Sequence, residues 1–311
     1  MTLSHLMLKP AQLRLVGAIA EFGQLQLAAE HCAMTQPAAS RMLAEVERRI
    51  GAPLFLRLPK GMEPTEIGRA VLRRAQSVLR ELESMEADIR ALRHGHAGRA
   101  RIGAVTGPAV GYLVPAIRAV KRVSPETDIS VDVLPSRDLL GHLAAGEMDF
   151  VLARILPEFD SDLFDIMPMQ GEKVAFLVRA SHPLARAPVT TLTELADYEW
   201  VMQQRGAPIR EVTLAAFAAL GLPEPRNRVN SPSLLLTIAY LSQSDAVAPI
   251  SEEVAQLLIR DPVNADFVTL RVQRELRVSP YYLLSLRRRP LSPLALRLRD
   301  EVLRHCSSGS S

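Results

Sequence analysis

Two cysteines, Cys32 and Cys306, are all that this 311-residue chain contains. That excludes a disulfide framework and a zinc site, and a reducing compartment fits. Aromatic residues make up 5 % of the chain, too few for the stacking platforms that hold single-stranded nucleic acid. No apolar run approaches the roughly 20 residues of a membrane span. The N-terminal MTLSHLMLKP lacks the charged flank and apolar core of a signal peptide. The expectation is a cytoplasmic protein with no membrane partner. Formal net charge is only +3, so any nucleic-acid binding must use a local basic patch. G-x-S-x-G, a Walker loop, G-x-G-x-x-G after the first strand and a metal-ligand cluster are all missing. An enzyme is therefore not expected, and neither a cofactor nor a metal is implied.

What is present is length enough for two or three domains and one dense stretch, residues 34 to 57: MTQPAASRMLAEVERRIGAPLFLR. Thr35 is a small polar cap before a helix. Gln36 and Ser40 suit the floor of a DNA groove, with Pro37 between them and Arg41 after. The helix carries Leu43, Val46 and Ile50 inward and ends at Gly51. Upstream, Leu13, Val16 and Ala20 share one face of a helix that starts at Pro10 and stops at Gly23. A short second helix from about Gln26 to Cys32 has Ala28 and Ala29 for close packing. Two short helices, the second opening on polar residues, make a helix-turn-helix pattern. PLFLRLPKGMEPT then reads as a two-stranded wing, with Arg57 and Lys60 placed for phosphates.

From Gln12 to Gly68 the sequence resembles the LysR-type transcriptional regulators. The resemblance rests on Gln12, Leu13, Ala20, Glu21, Gly23, Ala28, Ala29 and Glu30. It continues through Thr35-Gln36-Pro37-Ala38, Ser40-Arg41, Glu47, Gly51, Pro53-Leu54-Phe55, Arg57, Thr65 and Gly68. It implies that Thr35, Gln36, Pro37, Ser40, Arg41, Arg57 and Lys60 face double-stranded DNA. The family usually has Ser and Thr at positions 24 and 26, where this chain has Gln24 and Gln26. That puts the second helix cap and a phosphate contact in question. Cys32 reads as a small core residue rather than a reactive thiol.

Between Pro64 and Arg93, Ile67, Val71, Ala75, Val78, Leu82, Met85, Ile89 and Leu92 recur at steps of three and four, a nearly heptad seam. A helix that long and that polar needs a partner. The family resemblance implies a homodimer through this linker helix, and commonly a tetramer. His94-Gly95-His96-Ala97-Gly98 breaks it as a hinge.

Strands and helices alternate thereafter: βαβαβ over Arg101–Ala153, then a crossing at about Met167–Glu172 into a second unit. The chain is expected to return to the first unit over Arg271–Ser285. The expected fold is α/β with an all-α N-terminal part. Its pieces are a winged helix-turn-helix (1–63), a linker helix (64–93), a two-lobed effector domain (94–306) and a disordered tail (307–311). Lobe I is about 99–168 and 271–306, and lobe II about 169–270. Arg101-Ile102-Gly103, Leu113–Pro115, Leu143 with Gly146 and Asp149, and Ser181-His182-Pro183-Leu184 extend the LysR-type resemblance. It implies a domain similar to periplasmic solute-binding proteins. The loops after strands place Thr106, Gly107, Ser136, Arg154, Arg205 and Ser231 in the cleft. Arg154 and Arg205 are the expected partners of a carboxylate; a neutral sugar is the alternative effector. RNA polymerase is a further expected partner. His182 is expected in a surface loop.

Overall fold

The computed structural model describes residues 8–59, 61–94 and 98–308, without the side chains of residues 83, 84, 87, 88, 90–94, 307 and 308. The chain divides into two compact units. One is Met1–Gly98 with the turn Ala144–Glu147; the other is Arg99–Leu143 with Met148–Ser311.

In the first unit, α1 (Pro10–Phe22) starts with Pro at its first position. It stops at Gly23, whose left-handed φ of 65° lets its N–H reach the carbonyl of Ile19. α2 (Leu25–His31) and α3 (Gln36–Ile50) follow. Ala28, Ala29 and Ala39 are buried among Leu15, Val16, Ile19, Leu43 and Val46. Small side chains at the crossing let the helices approach closely. β1 (Phe55–Leu58) and β2 (Gly61–Pro64) form the expected wing, in antiparallel register from Phe55↔Pro64 to Leu58↔Gly61. The wing is nailed to the α1–α2 turn, because Met62 N–H donates to the Gly23 carbonyl at 2.7 Å. Gly61 is required there: its φ is 140° and a Cβ would lie 2.5 Å from that same oxygen.

α4 (Glu66–His94) is one helix of 29 residues. Thr65 caps it, its Oγ1 accepting from Gly68 N–H at 2.9 Å. Leu72 and Ala75 are buried and Val71 is partly so, with Leu72 and Val71 packed in the domain's own core. This corrects the seam expected from periodicity. Of its early members, Val71 packs into the helical bundle, because the first turns of α4 lie against α1. Beyond them Val78, Met85 and Ile89 are 47 %, 52 % and 48 % exposed, as is Ile67 at 46 %. Of the hinge, Gly95, His96 and Ala97 lie outside the described residues.

The second unit has two lobes. Lobe I begins with β3 (Arg99–Ala104) and α5 (Thr106–Pro108). A π turn, Ala109–Leu113, leads into α6 (Val114–Val123). β4 (Asp128–Val133), α7 (Ser136–Ala144), β5 (Phe150–Ala153) and β6 (Phe164–Pro168) follow. Lobe II holds β7 (Glu172–Arg179), α8 (Leu192–Leu195), β8 (Trp200–Met202), α9 (Pro208–Ala219) and β9 (Arg228–Asn230). It continues with α10 (Leu234–Leu241), β10 (Ala248–Ser251), α11 (Glu252–Ile259), β11 (Phe267–Leu270) and β12 (Arg277–Val278). β13 (Tyr282–Leu286) and α12 (Pro293–Ser308) return to lobe I.

The lobe I sheet has the order β4-β3-β5-β13-β6. Its β4, β3 and β5 are parallel as expected, while β13 runs antiparallel to both β5 and β6. In lobe II, β7 is flanked by antiparallel β10 and β11, and β8 pairs in parallel with β9. The return to lobe I comes later than Arg271. β12 still pairs with β7, and Leu276 and Val278 sit in the lobe II core. The two crossings lie side by side, Met169 N–H donating to the Tyr281 carbonyl at 3.2 Å. The tail is helical through Ser308; residues 309–311 lie outside the described residues.

Candidate functional site

α3 has two unlike faces. Thr35 holds the helix start, its Oγ1 accepting from Ala38 N–H at 3.4 Å. Gln36, Pro37 and Arg41 are exposed beside it and Ser40 is half-buried, while Ala39, Leu43 and Val46 are buried on the opposite side. The first two turns therefore present polar groups and a cation outward, as a groove-reading helix must. Arg57 is exposed on β1; Lys60 lies outside the described residues.

The supports of this face are side chains whose roles only the fold reveals. Glu47 Oε1 accepts from Leu54 N–H at 2.8 Å, tying the body of α3 to the root of the wing. Gly68 lets α4 pass so close that a Cβ would lie 2.0 Å from the Leu54 carbonyl oxygen. Gln24 makes no side-chain cap for α2, and Gln26 reaches Glu30 at 3.3 Å. Cys32 is partly buried against the core, and burial pushes its thiol pKa up, consistent with an inert side chain.

Where the lobes meet, four of the expected effector residues come together. Ser136 Oγ, at the start of α7, accepts from Arg154 N–H at 3.1 Å. Gly107, in α5, lies against Glu172 and Ser251; a Cβ would be 2.5 Å from Glu172 Oε1 and 3.0 Å from Ser251 Oγ. Thr106, its neighbour, is exposed. Arg154 pairs with Glu172 through Nη2, and its Nε donates to the Ser279 carbonyl at 3.1 Å. This corrects the reading of Arg154 as a carboxylate-binding residue. Its charge is already met by a carboxylate, and the pair braces lobe I against both crossings, since Glu172 opens β7 and Ser279 precedes β13.

Ser231 is buried after β9, its N–H donating to the Met202 carbonyl at 2.9 Å and its Oγ accepting from Ser233 N–H at 3.1 Å. Arg205 is exposed on the turn after β8. Sequence reasoning passed over Arg210, a residue on the first turn of α9 that is only 2 % exposed. Its Nη1 donates to the Gln203 carbonyl at 2.9 Å and to Asn230 Oδ1 at 2.5 Å.

His182 is a second correction. It is buried rather than in a surface loop. Nδ1 accepts from Leu184 N–H at 3.1 Å, so the proton sits on Nε2, 3.2 Å from the Asp245 carbonyl. Its ring lies 4.7 Å from that of Tyr198. Burial lowers its pKa. It is a structural histidine joining β7 to the segment before β10.

The comparisons with known proteins agree with this arrangement. Residues 10–69 match the family model described as bacterial regulatory helix-turn-helix protein, lysR family, and residues 93–307 match the LysR substrate binding domain. The chain belongs to the LysR family. It is a transcriptional regulator of that type, with a DNA-binding domain and a ligand-sensing domain. Among curated members, the HTH-type transcriptional regulator GbpR of Rhizobium radiobacter is 39 % identical over 250 residues, covering 80 % of this chain and 83 % of its own. GbpR of Azospirillum brasilense is 33 % identical over 288 residues, covering 92 % and 83 %. A similar solved fold is full-length CbnR complexed with its target DNA. It has 22 % identity and a TM-score of 0.68, over 96 % of this chain and 100 % of that one. No helix among the described residues is long and apolar enough to cross a membrane.

Proposed function

We propose that this LysR-type regulator reads DNA through Gln36, Pro37, Ser40 and Arg41 in the major groove. Arg57 on the wing, together with Lys60, holds the flanking backbone. The observation that carries the reading is the two-faced α3, capped by Thr35 and exposed at Gln36, Pro37 and Arg41. Two such helices are brought to half-sites one duplex turn apart by a dimer. The exposed stripe Val78, Met85 and Ile89 on α4 supports that pairing, because half-exposed apolar side chains at heptad spacing lose less to water when a second helix covers them.

The sensing region is the junction of the lobes, near Thr106, Gly107, Ser136 and Ser231, and its ligand is a small polar metabolite. The chain acts by binding rather than turnover. Its buried His182, Arg154 and Glu172 are engaged with one another or with backbone. Promoter location, a cytoplasmic setting and engagement of RNA polymerase follow from the same reading.

The test is duplex binding by wild type and Arg41→Ala at several salt concentrations, on cognate and scrambled sites. A base-reading Arg41 costs about 1–3 kcal/mol on the cognate duplex alone. Equal loss on both duplexes makes Arg41 a phosphate contact, and no loss removes it from the interface.

A further inference from the structure

Lobe II contains a buried cation that lacks a counter-ion. Arg210 is among the largest fully buried side chains. The two groups its Nη1 meets, the Gln203 carbonyl and the Asn230 side-chain amide oxygen, are both neutral. Nε is buried and has no hydrogen-bond partner, and among the described residues no carboxylate pairs with this guanidinium. Glu211, one position along, holds Gly206 N–H at 2.9 Å instead. A buried charge is strongly disfavoured unless it is paired. Arg210 therefore stands in an arrangement that an anion completes.

The unpaired edge has a definite shape. With Nη1 occupied, the remaining donors are Nε and Nη2, the parallel fork that grips a planar carboxylate with two hydrogen bonds. The local backbone favours the same charge. α9 is preceded by Ala207, whose methyl group cannot cap it, and opens with Pro208, which has no N–H. Arg210 itself lies in the first turn of this 12-residue helix, whose positive end also favours an anion. Its two neutral partners sit at the carboxyl ends of the parallel pair β8 and β9, where α/β folds take ligands. Ser231 comes directly after Asn230.

We propose that Arg210 is the charge partner of the effector and that the effector is a small organic carboxylate. It is bound on the Nε–Nη2 edge with Ser231 and the first turn of α9. This deepens, and rests on, the reading of the two-lobed unit as a sensor. It replaces the two arginines suggested by the sequence: Arg154 is neutralised by Glu172, and Arg205 stands in solvent. A neutral sugar leaves the buried charge uncompensated, so the site discriminates against it.

The decisive variant is Asn230→Asp, which places a carboxylate beside Nη1 with almost no change of shape. The full-length protein is studied as wild type, Asn230→Asp and Arg210→Lys. Thermal melting and calorimetry use benzoate, gluconate and succinate, with benzamide and glucose as neutral counterparts. Wild type is stabilised by at least one carboxylate and not by its neutral counterpart. Asn230→Asp melts higher than wild type without ligand, because the cation now has an internal partner, and binds that carboxylate at least about tenfold more weakly. Arg210→Lys keeps the charge, loses the fork, and is also weakened. Lower melting of ligand-free Asn230→Asp overturns the proposal, as does carboxylate binding by that variant as tight as wild type's. A wild type indifferent to the carboxylates but stabilised by glucose overturns it while the sensor reading stands. A wild type that responds to nothing in the panel counts against both.

Discussion

Replacing Arg154 by alanine tests the brace at the lobe junction. In the Arg154–Glu172 pair the two side chains are 10 % and 4 % exposed. Removing the guanidinium strands the Glu172 carboxylate in an interior that Gly107 and Ser251 already crowd. Breaking a buried pair from one side costs about 3–5 kcal/mol. The lost Nε bond to Ser279 adds roughly 1 kcal/mol. In a domain of this size each kcal/mol lowers Tm by about 2–4 °C, so Arg154→Ala should melt on the order of 10 °C below wild type by calorimetry of the full-length chain. The double variant Arg154→Met with Glu172→Met removes both charges and is expected to lie close to wild type or above it, since apolar replacement of a buried pair is often neutral. A loss under about 1 kcal/mol for the single variant would refute the reasoning, because a surface pair costs no more than that. A double variant as unstable as the single would refute it too, by showing that packing rather than stranded charge sets the cost.

The linker helix gives a second expectation: Leu82→Asp puts a charge into the paired face, so sedimentation should report monomer at micromolar concentration, with operator binding lost. A dimer that persists would move the seam elsewhere. The third is a pH dependence. Burial raises the pKa of Glu253, and the nearby Glu172 adds to it; one carboxyl oxygen, Oε2, is buried without a partner. The folded state thus holds this proton more tightly than the unfolded chain. Its contribution is fully present below the ordinary carboxylate range and is lost as pH rises through the folded value. Glu253→Gln should flatten that decline in denaturation curves recorded from about pH 4 to 8; a decline equal to wild type's would assign it to other groups.

How much of this was legible without the fold depends on how far apart the interacting residues are. A helix cap needs its partner within three or four positions, so Thr35, Gly23, Gly51 and the wing turn could be read directly, and they are where expected. Strands buried on both faces, such as Phe150–Ala153, announce themselves by composition. β6 and β11 were not anticipated, since each is short and only partly buried, and its pairing is with a distant strand. The heptad pattern of α4 was visible, but periodicity cannot say which neighbour covers which turn; the helical core takes Val71 and Leu72, and the later stripe stays exposed.

The sequence by itself determined the DNA-reading helix, the long linker and the α/β character of the rest, because local rules of capping and periodicity act along the chain. Tertiary structure alone decided what the charges do. Arg154 and Glu172 are 18 positions apart and meet only because β5 ends beside the start of β7. Arg210 was overlooked because its significance is a missing partner, and whether a cation lacks one depends on everything the fold brings around it. Pairing energies act through space with a steep dependence on distance and burial, and neither distance nor burial is a property of sequence position.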